Sequence, residues 1–281
     1  MSFASALLGL LAGPAEAHHD AADALPLSLN TPGAVGGLTS PAERTETRFG
    51  FLSRAFRVND NPLYGAALGG DALVLWNGLF GNLSVTPQLS LEALVPLVTD
   101  LPDDQESRTG LGDVRLGVRW FHRVSSLDAT MALGAEGSLP TGDAARGFGA
   151  DAVVTRTSGR LIHDLPRPRM RIYGEAGVAW TWAERRGTLA DAALAALWQP
   201  FERLGFLCEA RVLTALEQGR AQALAFVGQT RQAGDTTLVI TPALTLALGR
   251  QVGMSVGPQI PLGFKDFDFG VTAAVGFSPG P

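Results

Sequence analysis

From residue 44 onward, apolar and polar residues alternate with a period of two, over runs of about 11 to 14 residues. Within Leu111 to Phe121, Val114, Leu116, Val118 and Trp120 share one face; Asp113, Arg115, Gly117 and Arg119 share the other. The same pattern sets Ala129, Met131, Leu133 and Ala135 against Thr130, Gly134, Glu136 and Ser138. It sets Met170, Ile172, Ala176, Val178, Trp180 and Trp182 against Arg169, Arg171, Tyr173, Glu175, Gly177 and Thr181. Leu204, Phe206, Cys208, Ala210 and Val212 oppose Gly205, Leu207, Glu209 and Arg211, and Val252, Met254, Val256 and Ile260 oppose Gln251, Ser255, Gly257 and Gln259. A helix repeats every 3.6 residues, so this period belongs to strands.

Strands of this length exceed the globular norm of about 5 to 6 residues. They match a bilayer crossing, which takes about 9 to 11 residues at a tilt near 45°. Composition points the same way. Charged residues are 17%, against about 25% in ordinary soluble domains, and glycine supplies 34 of 281 residues. The longest uncharged stretch, Ala72 to Leu91, contains Asn77, Gly78, Gly81, Asn82, Pro87 and Gln88. Proline and buried amides are costly in lipid, so no membrane helix is built from it. A closed barrel is the other spanning solution. A soluble sandwich also alternates. The barrel is favoured by the Gly, Ser, Thr, Gln and mixed charges of the polar face. Aromatic residues near strand ends favour it too: Trp76, Phe80, Trp120, Phe121, Trp180, Trp182, Trp198, Phe201 and Phe277, expected as interfacial girdles.

The expected fold is all-β, a transmembrane outer-membrane antiparallel β-barrel of about 12 strands. Strands are predicted near 45–57, 72–85, 87–99, 110–123, 127–139, 150–162, 169–183, 188–199, 203–215, 236–249, 251–262 and 267–277. Short connections at 86–87, 124–126, 163–168, 200–202 and 250 alternate with longer ones at 58–71, 100–109, 140–149 and 216–235. Short periplasmic turns and long outer loops give such barrels this rhythm. Residues 221–232 read equally as a strand or as an extension of a hairpin.

The expected domain order is a signal peptide at 1–17, a periplasmic N-terminal segment or plug at 18–43, and the barrel at 44–281. Phe3 to Gly13 is the apolar core of the signal and Ala15-Glu16-Ala17 its cleavage pattern. The first basic residue is Arg44, and the missing basic n-region points to a start upstream of Met1. No cysteine follows the run, which argues against a lipid anchor.

Site chemistry is sparse. A net charge of -5 argues against nucleic acid as a partner. One cysteine, Cys208, excludes an internal disulfide framework; it is expected to pack against lipid. No cofactor is expected. His18 and His19 beside a new α-amine form a weak metal-ligand set, and a solvated terminus is the plainer reading. Asp100, Asp103, Asp104 and Glu106 crowd one loop without matching any cation-binding spacing. A lipid hydrolase needs a serine and a histidine on the lipid face. His122 and His163, the histidines within the barrel, fall at short turns instead, so no enzyme is expected. The expected lumen set is Glu92, Asp113, Arg115, Arg119, Glu136, Arg169, Arg171, Glu175, Glu209 and Arg211. Arg supplies 21 of the 22 basic residues, and its planar fork suits paired carboxylates. Such a ladder either fills the barrel or sets a transverse field across a pore.

Three stretches carry a family resemblance: GLGDVRLGVRW from Gly110 to Trp120, LGAEGSLPTGD from Leu133 to Asp143, and TPALTLALGRQVGMSVGPQIPLG from Thr241 to Gly263, ahead of GVTAAVGF from Gly270 to Phe277. The chain resembles the outer-membrane transporter family named for the MetA pathway of phenol degradation. The resemblance spans most of Arg44 to Phe277. It implies an outer-membrane barrel of a Gram-negative bacterium that passes small, often aromatic or hydrophobic, molecules; it assigns no catalytic or binding residue. Ser278 to Pro281 depart from barrels that end on their terminal aromatic residue. The leading expectation is therefore a channel for such compounds. Its partners would be outer-membrane lipids, lipopolysaccharide, the barrel-assembly machinery and the solute. A structural or adhesion barrel with a sealed lumen is the alternative, and a lipid-modifying enzyme a third.

Overall fold

The computed structural model describes residues 47–58, 72–103, 106–143, 148–149, 152–165, 170–182, 187–201, 203–217, 219–220, 230–231, 233–248, 252–263 and 269–277. The expected signal peptide, the 18–43 segment, His18, His19, Asp104 and Arg169 lie outside them.

The strands, in order, are β1 (Arg48–Val58), β2 (Ala72–Thr86), β3 (Leu89–Pro102), β4 (Arg108–Leu111), β5 (Arg115–Val124), β6 (Ala129–Ser138), β7 (Val153–Leu165), β8 (Met170–Trp182), β9 (Gly187–Trp198), β10 (Leu204–Ala215), β11 (Gly219–Arg220), β12 (Thr230–Arg231), β13 (Thr236–Ala247), β14 (Val252–Gly263) and β15 (Phe269–Phe277). Each barrel strand pairs antiparallel with its neighbours, and β1 pairs with β15 from Phe49↔Phe277 to Arg57↔Phe269. That pairing closes the sheet. Segments β4 and β5 both lie on β3 and count as one barrel strand, so the described barrel has twelve. Closure leaves no edge to satisfy in lipid. No helix among the described residues is long and apolar enough to cross a membrane.

The predicted strand at 110–123 is interrupted at residues 112–114. Pro96 on β3 faces this gap and has no N–H to offer a ladder. Gly112 donates to the Pro96 carbonyl at 2.9 Å, and Val114 donates to Thr141 Oγ1 at 2.9 Å. Of the ambiguous stretch 221–232, only residues 230 and 231 are described, and the rest lies outside the described residues; β11 and β12 pair as a two-residue ladder of their own, apart from the barrel sheet.

The period-two pattern becomes an inside and an outside. On β10, Gly205, Leu207, Glu209 and Arg211 are buried, while Phe206, Cys208, Ala210 and Val212 are exposed. Large apolar side chains cover the outer face, among them Leu79, Leu116, Leu133, Leu161, Leu194 and Val256. Such a surface is stable only against lipid. Trp180, Trp182, Trp198, Phe201 and Phe277 are exposed near strand ends. Trp76 and Phe121, assigned above to the girdles, instead point inward, with 1% and 3% of their surface exposed. Phe80 also turns inward and packs on the interior cluster. Parity decides this: Trp76 and Phe80 share the face of Val74, and Phe121 shares that of Arg119.

The candidate lumen site

Inward side chains form three layers. At the long-loop end, Leu52, Phe56, Val74, Trp76, Val98, Phe148, Leu189, Leu213 and Val239 belong to one apolar cluster. At the short-turn end, Ile162, Tyr173, Ala195, Leu197, Leu207, Ala243 and Ala247 form a second. Between them lies a charged belt.

The belt runs across five neighbouring strands, from β6 to β10. Arg156 on β7 reaches three carboxylates. It donates to Asp191 Oδ2 and Oδ1 at 3.0 and 2.8 Å, to Glu175 Oε1 at 2.5 Å and to Glu136 Oε1 at 3.3 Å. Arg160 donates from Nε to Glu175 Oε2 at 2.8 Å and forms a second, shorter contact with the same oxygen. Arg211 donates to Asp191 Oδ1 at 2.6 Å and to Glu209 Oε1 at 3.3 Å. The Tyr173 hydroxyl donates to Glu209 Oε2 at 2.6 Å, and Arg160 also lies over the Tyr173 ring. Nearby, Arg119 pairs with Glu92 at 3.3 Å. Register explains the meetings: Glu136 is the partner of Arg156, and Arg160 the partner of Glu175. Removing one member of such a buried set strands a charge, which costs about 3 to 5 kcal/mol.

Nine of the ten expected lumen residues are described: Glu92, Asp113, Arg115, Arg119, Glu136, Arg171, Glu175, Glu209 and Arg211 all lie on the inward face, Glu136 being the least enclosed. The belt joins Glu136, Glu175, Glu209 and Arg211, while Glu92 and Arg119 pair apart from it. Sequence reading missed Arg54, Arg156, Arg160 and Asp191. Arg156 and Arg160 stand on one parity of the 150–162 strand, and that parity was the available signal. Asp191 sits in an alanine run whose two faces look alike.

Asp113 has a different duty. Its Oδ1 accepts from the Gly142 N–H at 3.0 Å, while Thr141 Oγ1 donates to the Gly112 carbonyl at 3.1 Å. Thus G-L-G-D at 110–113 and P-T-G-D at 140–143 are two halves of one clasp. The clasp carries Phe148 into the outer apolar cluster, where a Cβ on Gly110 would sit 2.2 Å from the ring. Of the acidic loop's described carboxylates, Asp100 is buried on β3, and Asp103 pairs with Arg57 at 2.6 Å. No group of metal-ligating residues occurs among the described residues. His122 lies near the end of β5, stacked on Trp120, and the His163 ring nitrogen Nδ1 lies 3.1 Å from the Asp128 carbonyl.

The wall made by β13, β14 and β15 carries no charge on its inward face. Thr237, Thr241, Thr245, Ser255, Gln259 and Thr272 are buried there. Thr245 Oγ1, Ser255 Oγ, Thr272 Oγ1 and both polar atoms of Gln259 have no hydrogen-bond partner in the protein. Each such atom costs about 1 to 3 kcal/mol when it is dry.

The model of the family described as "Putative MetA-pathway of phenol degradation" matches residues 30–206, more than half of the chain. The chain belongs to this family. None of the curated proteins matches the sequence. Solved structures share the fold at low identity. An outer-membrane channel of Pseudomonas putida F1 superposes with a TM-score of 0.61 at 12% identity, covering 83% of this chain and 95% of that one. The NanC porin gives 0.54 at 9%, covering 83% and 100%. The β domain of the Bordetella autotransporter BrkA gives 0.50 at 10%, covering 84% and 100%. The protein is thus an outer-membrane β-barrel with the fold seen in channels and porins, and its outer face meets the lipid of that membrane.

Proposed function

We propose that this family member is a passive channel for small hydrophobic or aromatic solutes, gated by interior side chains. The observation that carries the reading is the unpartnered wall of Thr245, Ser255, Gln259 and Thr272. A barrel whose interior served only as a core would satisfy or omit such groups, since buried polar atoms are nearly always paired. A lumen that admits water or solute satisfies them in use. The apolar cluster under the long-loop end suits a hydrophobic body, and the family's association with phenol degradation suits an aromatic one. The belt residues Glu136, Arg156, Glu175, Asp191, Glu209 and Arg211 set the field beside the path; Glu92, Arg115 and Arg119 extend it.

The same reading includes a cleaved signal peptide at 1–17, a periplasmic segment or plug at 18–43, insertion by the barrel-assembly machinery, and lipopolysaccharide around the outer rim. It includes no catalytic role: His122 stacks on Trp120, and His163 faces a backbone carbonyl. The alternative is a structural or adhesion barrel with a sealed lumen. It is favoured by the tight packing of the belt, where the side chains of Arg156, Glu175 and Arg211 are 2%, 1% and 2% exposed. Planar-bilayer recording separates the two. Discrete conductance steps are expected from a channel; a silent, folded barrel would support the sealed reading.

A further inference from the structure

The barrel interior is electrically divided. Strands β13, β14, β15, β1 and β2 are consecutive around the sheet, and their described residues include no aspartate or glutamate on either face. Arg48 and Arg54 of β1 nevertheless point into the lumen and are buried. The carboxylates of the opposite half serve that half's own side chains: Glu175 and Asp191 accept from Arg156, and Glu209 accepts from Tyr173 and Arg211. Arg115, Glu209 and Arg211 act on Arg54 electrostatically, two like charges against one opposite. Such surroundings favour an added negative charge beside the Arg54 guanidinium.

Neutral donors stand next to that charge. Thr272 on β15 is the register partner of Arg54, and partners on one face have Cβ atoms about 4.5 to 5.5 Å apart. Gln259 on β14 pairs with Gly270, two residues from Thr272, which makes Gln259 and Thr272 diagonal neighbours on one face. Both are fully buried, and Thr272 Oγ1 and Gln259 Nε2 and Oε1 have no hydrogen-bond partner in the protein. A hydroxyl and an amide N–H are therefore available to an acceptor lying against the guanidinium. Aromatic surface frames the same place. The Arg54 guanidinium lies over the Trp76 ring at 5.0 Å, and the Phe56 ring covers Gly270 so closely that a Cβ there would stand 2.8 Å from it.

An anion that leaves water needs a counter-charge and hydrogen-bond donors together. A planar carboxylate matches the planar guanidinium fork. One guanidinium beside neutral donors balances one negative charge, which selects a monocarboxylate over a phosphate dianion. Building on the channel reading above, we propose that Arg54, Thr272 and Gln259 form an anion subsite in the lumen that takes the carboxylate of a small organic monoacid, with its apolar body against Phe56 and Trp76.

The test is calorimetric titration of the full-length barrel in lipid nanodiscs, with benzoate and benzamide as probes of one shape and different charge, and empty nanodiscs as the baseline. At neutral pH wild type is expected to bind benzoate about tenfold tighter than benzamide, the worth of a hydrogen bond to a charged group. Arg54→Gln should abolish the difference. Gln259→Leu with Thr272→Val keeps the charge and should weaken benzoate binding about fivefold. The double variant carries the test if Arg54→Gln does not fold, which heat-modifiable gel migration reports. Benzamide binding wild type as tightly as benzoate, or benzoate binding unchanged in either folded variant, would overturn the subsite. Planar-bilayer recording keeps the two readings apart. Conductance steps without a preference for benzoate would overturn the subsite and spare the channel, whereas a silent barrel that binds neither probe would remove both.

Discussion

The ring of Phe148 lies on the bare Cα of Gly110, so close that a Cβ there would meet Cδ2 at 2.2 Å. Only glycine permits this approach, and it seats the ring inside the outer apolar cluster. Gly110→Val should expel the ring, and Phe148→Ala should remove it. Both are expected to raise single-channel conductance. Phe148→Ala should also lower stability by about 3 to 5 kcal/mol, as for other buried aromatic truncations. Unchanged conductance in both would show that the clasp only braces the wall.

Arg156 is the hub of the belt, touching Glu136, Glu175 and Asp191. Arg156→Ala leaves those carboxylates short of a buried partner and should cost about 3 to 5 kcal/mol. Urea unfolding from lipid vesicles measures it. The double change with Asp191→Asn should cost less than the sum of the singles, since both remove the same contact.

Much of this was legible in the sequence, because a period of two leaves each side chain only two directions. The strand positions and the inward set containing Glu175, Glu209 and Arg211 follow from parity alone. Pairing does not. Which carboxylate Arg156 meets depends on strand register, which no local pattern encodes, and Asp191 stood in a run of alanines without contrast. Trp76 misled for a related reason: an aromatic residue suits a girdle by type, but parity places it inside. The motif at 110–113 was visible as a strand start, whereas its bond to 140–143 spans 29 residues from Asp113 to Gly142 and needed the fold.

Cys208 reports on parity directly. It is exposed, on the outward face of β10 between buried Leu207 and Glu209. In vesicles a lipid-soluble maleimide should label it and a sulfonated, water-soluble maleimide should not. Equal labelling by both would place β10 out of the bilayer.

Outside the spanning region, the hydrogen bonds from Arg57 hold the Asp103 carboxyl below its usual range. A lowered folded-state value means that the tether contributes fully above the ordinary carboxylate range and is lost as pH falls through the lowered value. The pair is solvent-exposed, so its effect is small and screened by salt. Carboxyl NMR titration of Asp103 should show the depressed midpoint, and Arg57→Gln should move it upward. An unchanged midpoint in that variant would remove the tether.

The channel claim itself rests on solute passage. The purified barrel, reconstituted in vesicles, should admit phenolic compounds at initial rates well above those of protein-free vesicles, with Phe148→Ala faster still. Equal rates with and without folded protein, for wild type and Phe148→Ala alike, would contradict the account and leave a sealed barrel.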